Sequence, residues 1–254
     1  MLAEFGLAQA LGCAPNAALA RLSRIARGGL AEAQVALGQY LLYGHGLPAD
    51  PVRAVAWFRI AAAAGHAPGM NMLGRCLERG WGLDQDPVAA VGWYTRAAGL
   101  GLDWAQYNLG NATMRGRGTA LNRIDAYGWF CRAAEQGHAK SMNLVGRFLE
   151  EGWNLHPDPV AALEWYRRSA EGGDYRGQFN WGTCLMRQGC TEEAARWFLL
   201  AASQATPDLL PIMAATLGAD PAYAVAATLV RSRMIPSPGP AEKPTGLQTV
   251  RRYS

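Results

Sequence analysis

Lysine is almost absent from this 254-residue chain: Lys140 and Lys243 stand alone among 24 basic residues, and the rest are arginine. The planar guanidinium suits two-pronged recognition of carboxylate or phosphate, although genomic base composition produces the same bias. Histidine is scarce as well, with four in the chain. There is no His-x-x-x-His, no Cys-x-x-Cys and no Gly-x-Ser-x-Gly, so no motif supports a metal site, a cofactor or a catalytic nucleophile. The five cysteines, Cys13, Cys76, Cys131, Cys184 and Cys190, are odd in number and form no paired spacing. That argues for reduced thiols and a cytoplasmic setting. No apolar run is long enough to cross a bilayer. No basic residue precedes Arg21, so the charged start of a secretory signal is missing. A net charge of +4 makes no strong case for nucleic acid.

What the chain has in quantity is glycine, and its placing is periodic. Gly38, Gly74, Gly110, Gly146 and Gly182 lie 36 residues apart, and Trp57, Trp93, Trp129 and Trp165 keep the same interval. Gly65, Gly101, Gly137 and Gly173 keep it too, as do Asp50, Asp86, Asn122 and Asp158. Each unit reads as two helices. The first is expected at 31–43, 67–79, 103–115, 139–151 and 175–187, with Ala33, Leu37 and Leu41 on one apolar stripe. A glycine kept in mid-helix costs about 1 kcal/mol relative to alanine, which implies close approach of a partner helix. Asp-Pro opens the second helix, the aspartate capping free amides and the proline losing no useful donor. Ala54, Trp57, Ala61 and Ala62 are expected to face the first helix, with the tryptophan filling the gap between units.

The pattern Ala-x-x-x-Leu-Gly-x-x-Tyr, a Gly-x-Gly turn, Asp, then Ala-x-x-Trp-Tyr/Phe-x-x-Ala-Ala-x-x-Gly resembles the Sel1-like repeat over residues 33–202. The resemblance implies an all-α fold, a right-handed α-solenoid related to tetratricopeptide repeats. It also implies a non-enzymatic adaptor that holds a peptide or partner domain on its concave face. Secreted members of that family carry regular cysteine pairs, which this chain lacks.

In order, residues 1–30 read as an N-terminal cap and 31–204 as the repeat array. Residues 205–234 read as a closing helix pair and 235–254 as a Pro- and Gly-rich disordered tail. Pro211 falls inside the expected closing helix 206–217, where a proline would break a ladder bond. Unit five is shortened by four residues, since Trp197 follows Trp165 by 32.

First helices of such an array line the groove. Residues off their packed stripe therefore form the expected partner-binding set: Asn71, Arg75, Trp104, Tyr107, Asn111, Arg115, Asn143, Arg147, Phe179 and Arg187, with Lys140 and Arg176 further back. A second period of 72 residues links Asn71, Arg75 and Glu78 to Asn143, Arg147 and Glu150, and Tyr107-Asn108 to Phe179-Asn180. It reads equally as alternating binding rungs or as duplication of a two-unit block. Glu78 and Glu150 each lie three residues after an arginine and are placed to pair with it. The positive excess of the set favours an acidic segment or a free C-terminal carboxylate, held by Arg75 and Arg147 with Asn71 and Asn143 on its backbone. A nucleic-acid-binding solenoid is the alternative, for which Arg251 and Arg252 add charge.

Overall fold

In a computed structural model, which describes residues 15–44, 48–153, 156–218 and 220–234, the chain is a row of antiparallel helix pairs. The first helices are α2 (Ala31–Tyr43), α4 (Ala67–Arg79), α6 (Asp103–Arg115), α8 (Ala139–Glu151) and α10 (Tyr175–Arg187). Their bounds match the sequence expectation residue for residue. The second helices are α3 (Pro51–Ala63), α5 (Pro87–Gly99), α7 (Arg123–Glu135), α9 (Pro159–Glu171) and α11 (Thr191–Gln204). Helix α1 (Pro15–Arg27) packs ahead of them, and α12 (Leu210–Leu217) and α13 (Ala224–Met234) follow. Among the described residues there is no strand. The tail expected at 235–254 and the start of the N-terminal cap lie outside the described residues.

The loops of four units share the same anchors at their two ends. A glycine in the left-handed region ends the first helix, as Gly44, Gly80, Gly116 and Gly152 do. The chain then returns so that the amides of Asp50, Asp86, Asn122 and Asp158 donate to the carbonyls of Leu41, Leu77, Thr113 and Leu149, at 2.8, 2.9, 3.0 and 2.9 Å. Each side chain next caps the second helix: Asp50, Asp86 and Asp158 accept from the amides of Arg53, Ala89 and Ala161, all at 2.9 Å. Asn122 does the same without the proline, accepting from Ile124 and Asp125 at 3.1 Å. Such caps stabilise by about 0.5–2 kcal/mol each.

The buried aromatic of each unit is not the tryptophan. It is the residue after it: Phe58, Tyr94, Phe130, Tyr166 and Phe198 are all at most 1% exposed, whereas the tryptophans are only half-buried. Each of those rings lies over the mid-helix glycine of its own unit. A Cβ at Gly74, Gly110, Gly146 or Gly182 would come within 2.7, 2.7, 2.8 or 2.8 Å of the ring carbons. The glycine is therefore a socket for the ring, which corrects the expected role of Trp57 and its equivalents. In helical register the two adjacent aromatics point some 100° apart, and only one can face inward. Three of the tryptophans instead lie under an arginine one turn on: Arg96 over Trp93, Arg132 over Trp129 and Arg168 over Trp165, at 4.5, 4.6 and 4.4 Å.

The closing segment also departs from expectation. Helix α12 begins at Leu210, so Pro211 occupies its first turn, where its missing amide costs nothing. Asp220 caps a short 3-10 turn, Pro221–Tyr223, that leads into α13. Tyr223 meets Phe198 edge-on at 5.3 Å and closes the core of the array.

Candidate functional site

The first helices α6, α8 and α10 and the start of α12 border a concavity of about 510 Å³. Tyr107, Asn111 and Arg115 come from α6, Asn143 and Arg147 from α8, and Phe179 from α10. All six belong to the sequence-predicted set, and the fold brings them to one place. Trp104 stands beside them at the start of α6, largely exposed, with the Lys140 ammonium 5.3 Å from its ring. Arg187, at the end of α10, is not part of this lining; it pairs with Glu150 at 3.1 Å.

Asn71 and Arg75 lie outside the concavity, and several residues of its lining are already engaged. Asn71 and Asn143 are 7% and 3% exposed, and their side-chain carbonyls accept from Asn108 and Asn180 at 2.8 and 2.7 Å. They tie neighbouring first helices together and offer little to a ligand backbone. Phe179 is buried against Phe198, their ring centroids 5.8 Å apart. Arg75 lies over Trp81 at 5.4 Å and borders no part of the concavity, so it and Arg147 do not converge on one carboxylate. Arg147 stacks on Trp153 at 4.9 Å and pairs with Glu151 at 2.9 Å.

Glu78 and Glu150 do not take the arginine three residues back. Glu78 accepts from the Tyr94 hydroxyl at 2.9 Å and faces Arg117 of the next unit at 3.5 Å. Glu150 accepts from Tyr166 at 2.7 Å and from Arg187 at 3.1 Å. The 72-residue period thus has a structural meaning. Asn71–Asn108 and Glu78–Arg117 join units two and three, and Asn143–Asn180 and Glu150–Arg187 join units four and five.

Between units three and four the joint is aromatic. His138 sits in it, 6% exposed, with its ring 4.5 Å from Trp104 and 4.9 Å from Tyr107. Its Nδ1 caps α8 by accepting from the Ser141 amide at 3.2 Å, which puts the ring proton on Nε2, buried with no hydrogen-bond partner. Burial pushes the imidazole down to about 4. Asp174 is also buried; it accepts from the Gly177 amide at 2.9 Å, and desolvation raises its pKa.

Sequence reasoning missed the far wall, formed by Asp208, Leu209 and Ile212. Asp208 pairs with Arg176 at 2.5 Å, and Thr206 bonds the Tyr175 hydroxyl at 2.9 Å, so the closing segment is pinned to α10. The signal was faint because this segment falls outside the repeat register. No group of three or more His, Cys, Asp or Glu suited to a metal occurs among the described residues. None of the described helices is long and apolar enough to cross a membrane.

A family model described as Sel1 repeat matches residues 31–66, 67–102, 105–138, 139–174 and 177–205. Among solved structures the chain is similar to a Sel1 repeat protein from Oxalobacter formigenes, at 22% identity and a TM-score of 0.69, covering 80% of this chain and 88% of that one. It is also similar to the immunity protein Pa5087 from Pseudomonas aeruginosa, at 17% identity and a TM-score of 0.56, covering 80% of each chain. A putative sel1 repeat protein from Klebsiella pneumoniae subsp. pneumoniae matches at 18% identity and a TM-score of 0.51, covering 74% of this chain and 93% of that one. These likenesses show the fold. No curated protein matches the chain.

Proposed function

Because this chain belongs to the Sel1 repeat family, we propose that it is a non-catalytic adaptor holding a segment of a partner protein in the concavity between Tyr107 and Ile212. Repeats of this family are typically protein-interaction scaffolds. The observation that carries the reading is the lining itself: aromatic and aliphatic surface from Tyr107, Met114, Leu144, Leu209 and Ile212, with polar groups from Asn111, Lys140 and Asn180 between them. Apolar pockets with a few placed polar groups are what an extended peptide needs.

A carboxylate on that peptide, from a side chain or a C-terminus, would meet Lys140 and Arg115. Arg147 and Arg176 already face Glu151 and Asp208, and such exposed pairs are worth only about 0–1 kcal/mol, so they could yield to a ligand. Nothing in the geometry favours nucleic acid, since the same pairs give the face mixed sign. The thiols of Cys76, Cys131, Cys184 and Cys190 are free, which fits a reducing compartment such as the cytoplasm.

Selection from a random phage-displayed peptide library tests the reading. Selected peptides should carry an acidic residue and bind the Lys140→Glu, Arg115→Glu double variant at least about tenfold more weakly by calorimetry. Undiminished binding to a folded double variant would place the site elsewhere.

A further inference from the structure

Away from the concavity, the second helices repeat a feature that packing among the described residues does not use. Val52, Val88, Ile124 and Val160 hold the second position of α3, α5, α7 and α9, and they are 66, 68, 59 and 78% exposed. A single exposed aliphatic needs no explanation, but a row at one repeat position does. Four residues on, and so on the same helix face, are Ala56, Gly92 and Gly128, all exposed. A Cβ at Gly92 or Gly128 would meet nothing within 4 Å, so no ring or neighbouring backbone demands glycine there.

Beside this row runs a line of positive charge. Arg59, Arg96 and Arg132 are exposed, the last two with their guanidinium groups over Trp93 and Trp129. The carboxylates within these three helices and at their N-caps are engaged: Asp50 and Asp86 cap their helices and Asp125 accepts from the Asn122 side chain. Glu135, at the far end of α7, is the exception among the described residues. In α9 the pattern stops, because Glu164 stands where the small residue should and pairs with Arg167 at 2.8 Å.

We infer that the outer face of α3, α5 and α7 is a second docking surface, for a partner helix that carries aliphatic residues beside carboxylates. Val52, Val88 and Ile124 are the knobs, the hollows at Ala56, Gly92 and Gly128 let the partner's side chains approach, and Arg59, Arg96 and Arg132 meet its acidic edge. A second copy of this chain is a poor occupant, since its own arginine row would bring like charge to like. An anionic membrane fits less well, because a membrane-binding face projects bulky side chains, whereas this one is hollowed by glycine and holds its indoles half-buried.

The probe is a labelled synthetic helix of leucines on one face and glutamates on the other, followed by fluorescence anisotropy. A counterpart with lysine for glutamate and a shuffled sequence serve as controls. The glutamate helix should bind the native chain, and binding should fall at least tenfold in Val88→Glu, Ile124→Glu and in Arg96→Glu, Arg132→Glu. The concave variant Lys140→Glu, Arg115→Glu should leave it unchanged, so this surface and the concavity fail independently. Equal binding of the lysine helix, loss only in the concave variant, or no binding at all would overturn the inference. So would phosphatidylserine vesicles binding where the peptide does not. A concentration-dependent dimer in sedimentation that Val88→Glu, Ile124→Glu dissolves would also overturn it, by assigning the face to a second copy.

Discussion

The Tyr94 hydroxyl donates to Glu78 at 2.9 Å, and the same relation recurs 72 residues on between Tyr166 and Glu150. Where the unit's aromatic is phenylalanine, the residue at the position equivalent to Glu78 is apolar: Leu42 for Phe58, Met114 for Phe130, Met186 for Phe198. The hydroxyl is present only where a carboxylate receives it, because a buried phenol without an acceptor is costly. Tyr94→Phe should therefore lose about 1.5–3 kcal/mol in urea denaturation, the range for a hydrogen bond to a charged group. Phe130→Tyr should also destabilise, since Met114 offers only a weak sulfur acceptor, and adding Met114→Glu should restore part of the loss. No recovery in that double variant would sink the pairing rule.

Phe130→Ala should cost about 3–5 kcal/mol, because it empties a fully buried socket over Gly110. Trp129→Ala, on the adjacent residue, removes a half-buried ring and its stack with Arg132, and should cost clearly less, about 1–2 kcal/mol. Chemical denaturation of the two variants side by side checks the assignment. A larger loss at Trp129 would reverse it.

The helix bounds were legible because glycine, Asp-Pro and alanine recur in one register and each has a local job. The choice between Trp129 and Phe130 was not, since both are large and apolar and only the helix phase against α6 separates them. The Tyr–Glu, Phe–apolar alternation was in the sequence and went unread. It requires knowing that positions 16 residues apart, as in Glu78–Tyr94 and Glu150–Tyr166, meet across the helix pair. The burial of Asn71 and Asn143 was not legible for a related reason. Their offset from Leu37 puts them off the intra-unit stripe, yet the next unit's first helix buries them, and inter-unit contact has no signature in a single unit. The wall formed by Leu209 and Ile212 lay beyond the last repeat, where no register existed to extend.

His138 makes stability depend on pH in a definite sense. Burial lowers its folded pKa from 6.5 to about 4, with Asp103 opposing and Lys140 assisting that shift, and Trp104 and Tyr107 covering the ring. Above pH 6.5 both folded and unfolded chains hold neutral imidazole, and stability is complete. As pH falls from 6.5 towards 4 the unfolded chain takes the proton first, so stability drops, levelling below about 4 after a loss of up to about 3 kcal/mol. Asp174, whose folded pKa is raised, works in the opposite sense at the acid end of that window. The variant His138→Asn retains a capping oxygen for the Ser141 amide but does not titrate. Its denaturation midpoint should vary less between pH 6.5 and 4 than that of the native chain. Identical slopes would mean that His138 is not held neutral in the folded state.

Two mid-helix glycines should respond to alanine with opposite sign. At either site the substitution gains about 0.8–1 kcal/mol of helix propensity. At Gly74 the added Cβ would fall 2.7 Å from a ring carbon of Tyr94 and 3.2 Å from the Ala90 carbonyl oxygen. The ring is buried and bonded to Glu78, so it cannot swing aside cheaply, and overpacking of this kind costs about 1–3 kcal/mol. Gly74→Ala should therefore be neutral at best and more often a net loss of one to two kcal/mol on that scale. At Gly92 the Cβ would meet nothing within 4 Å, and the full propensity gain should appear as added stability. Urea denaturation of the two variants decides it. A Gly74→Ala protein as stabilised as Gly92→Ala would show that the socket has room, and that the glycine recurring every 36 residues is not there to admit the ring.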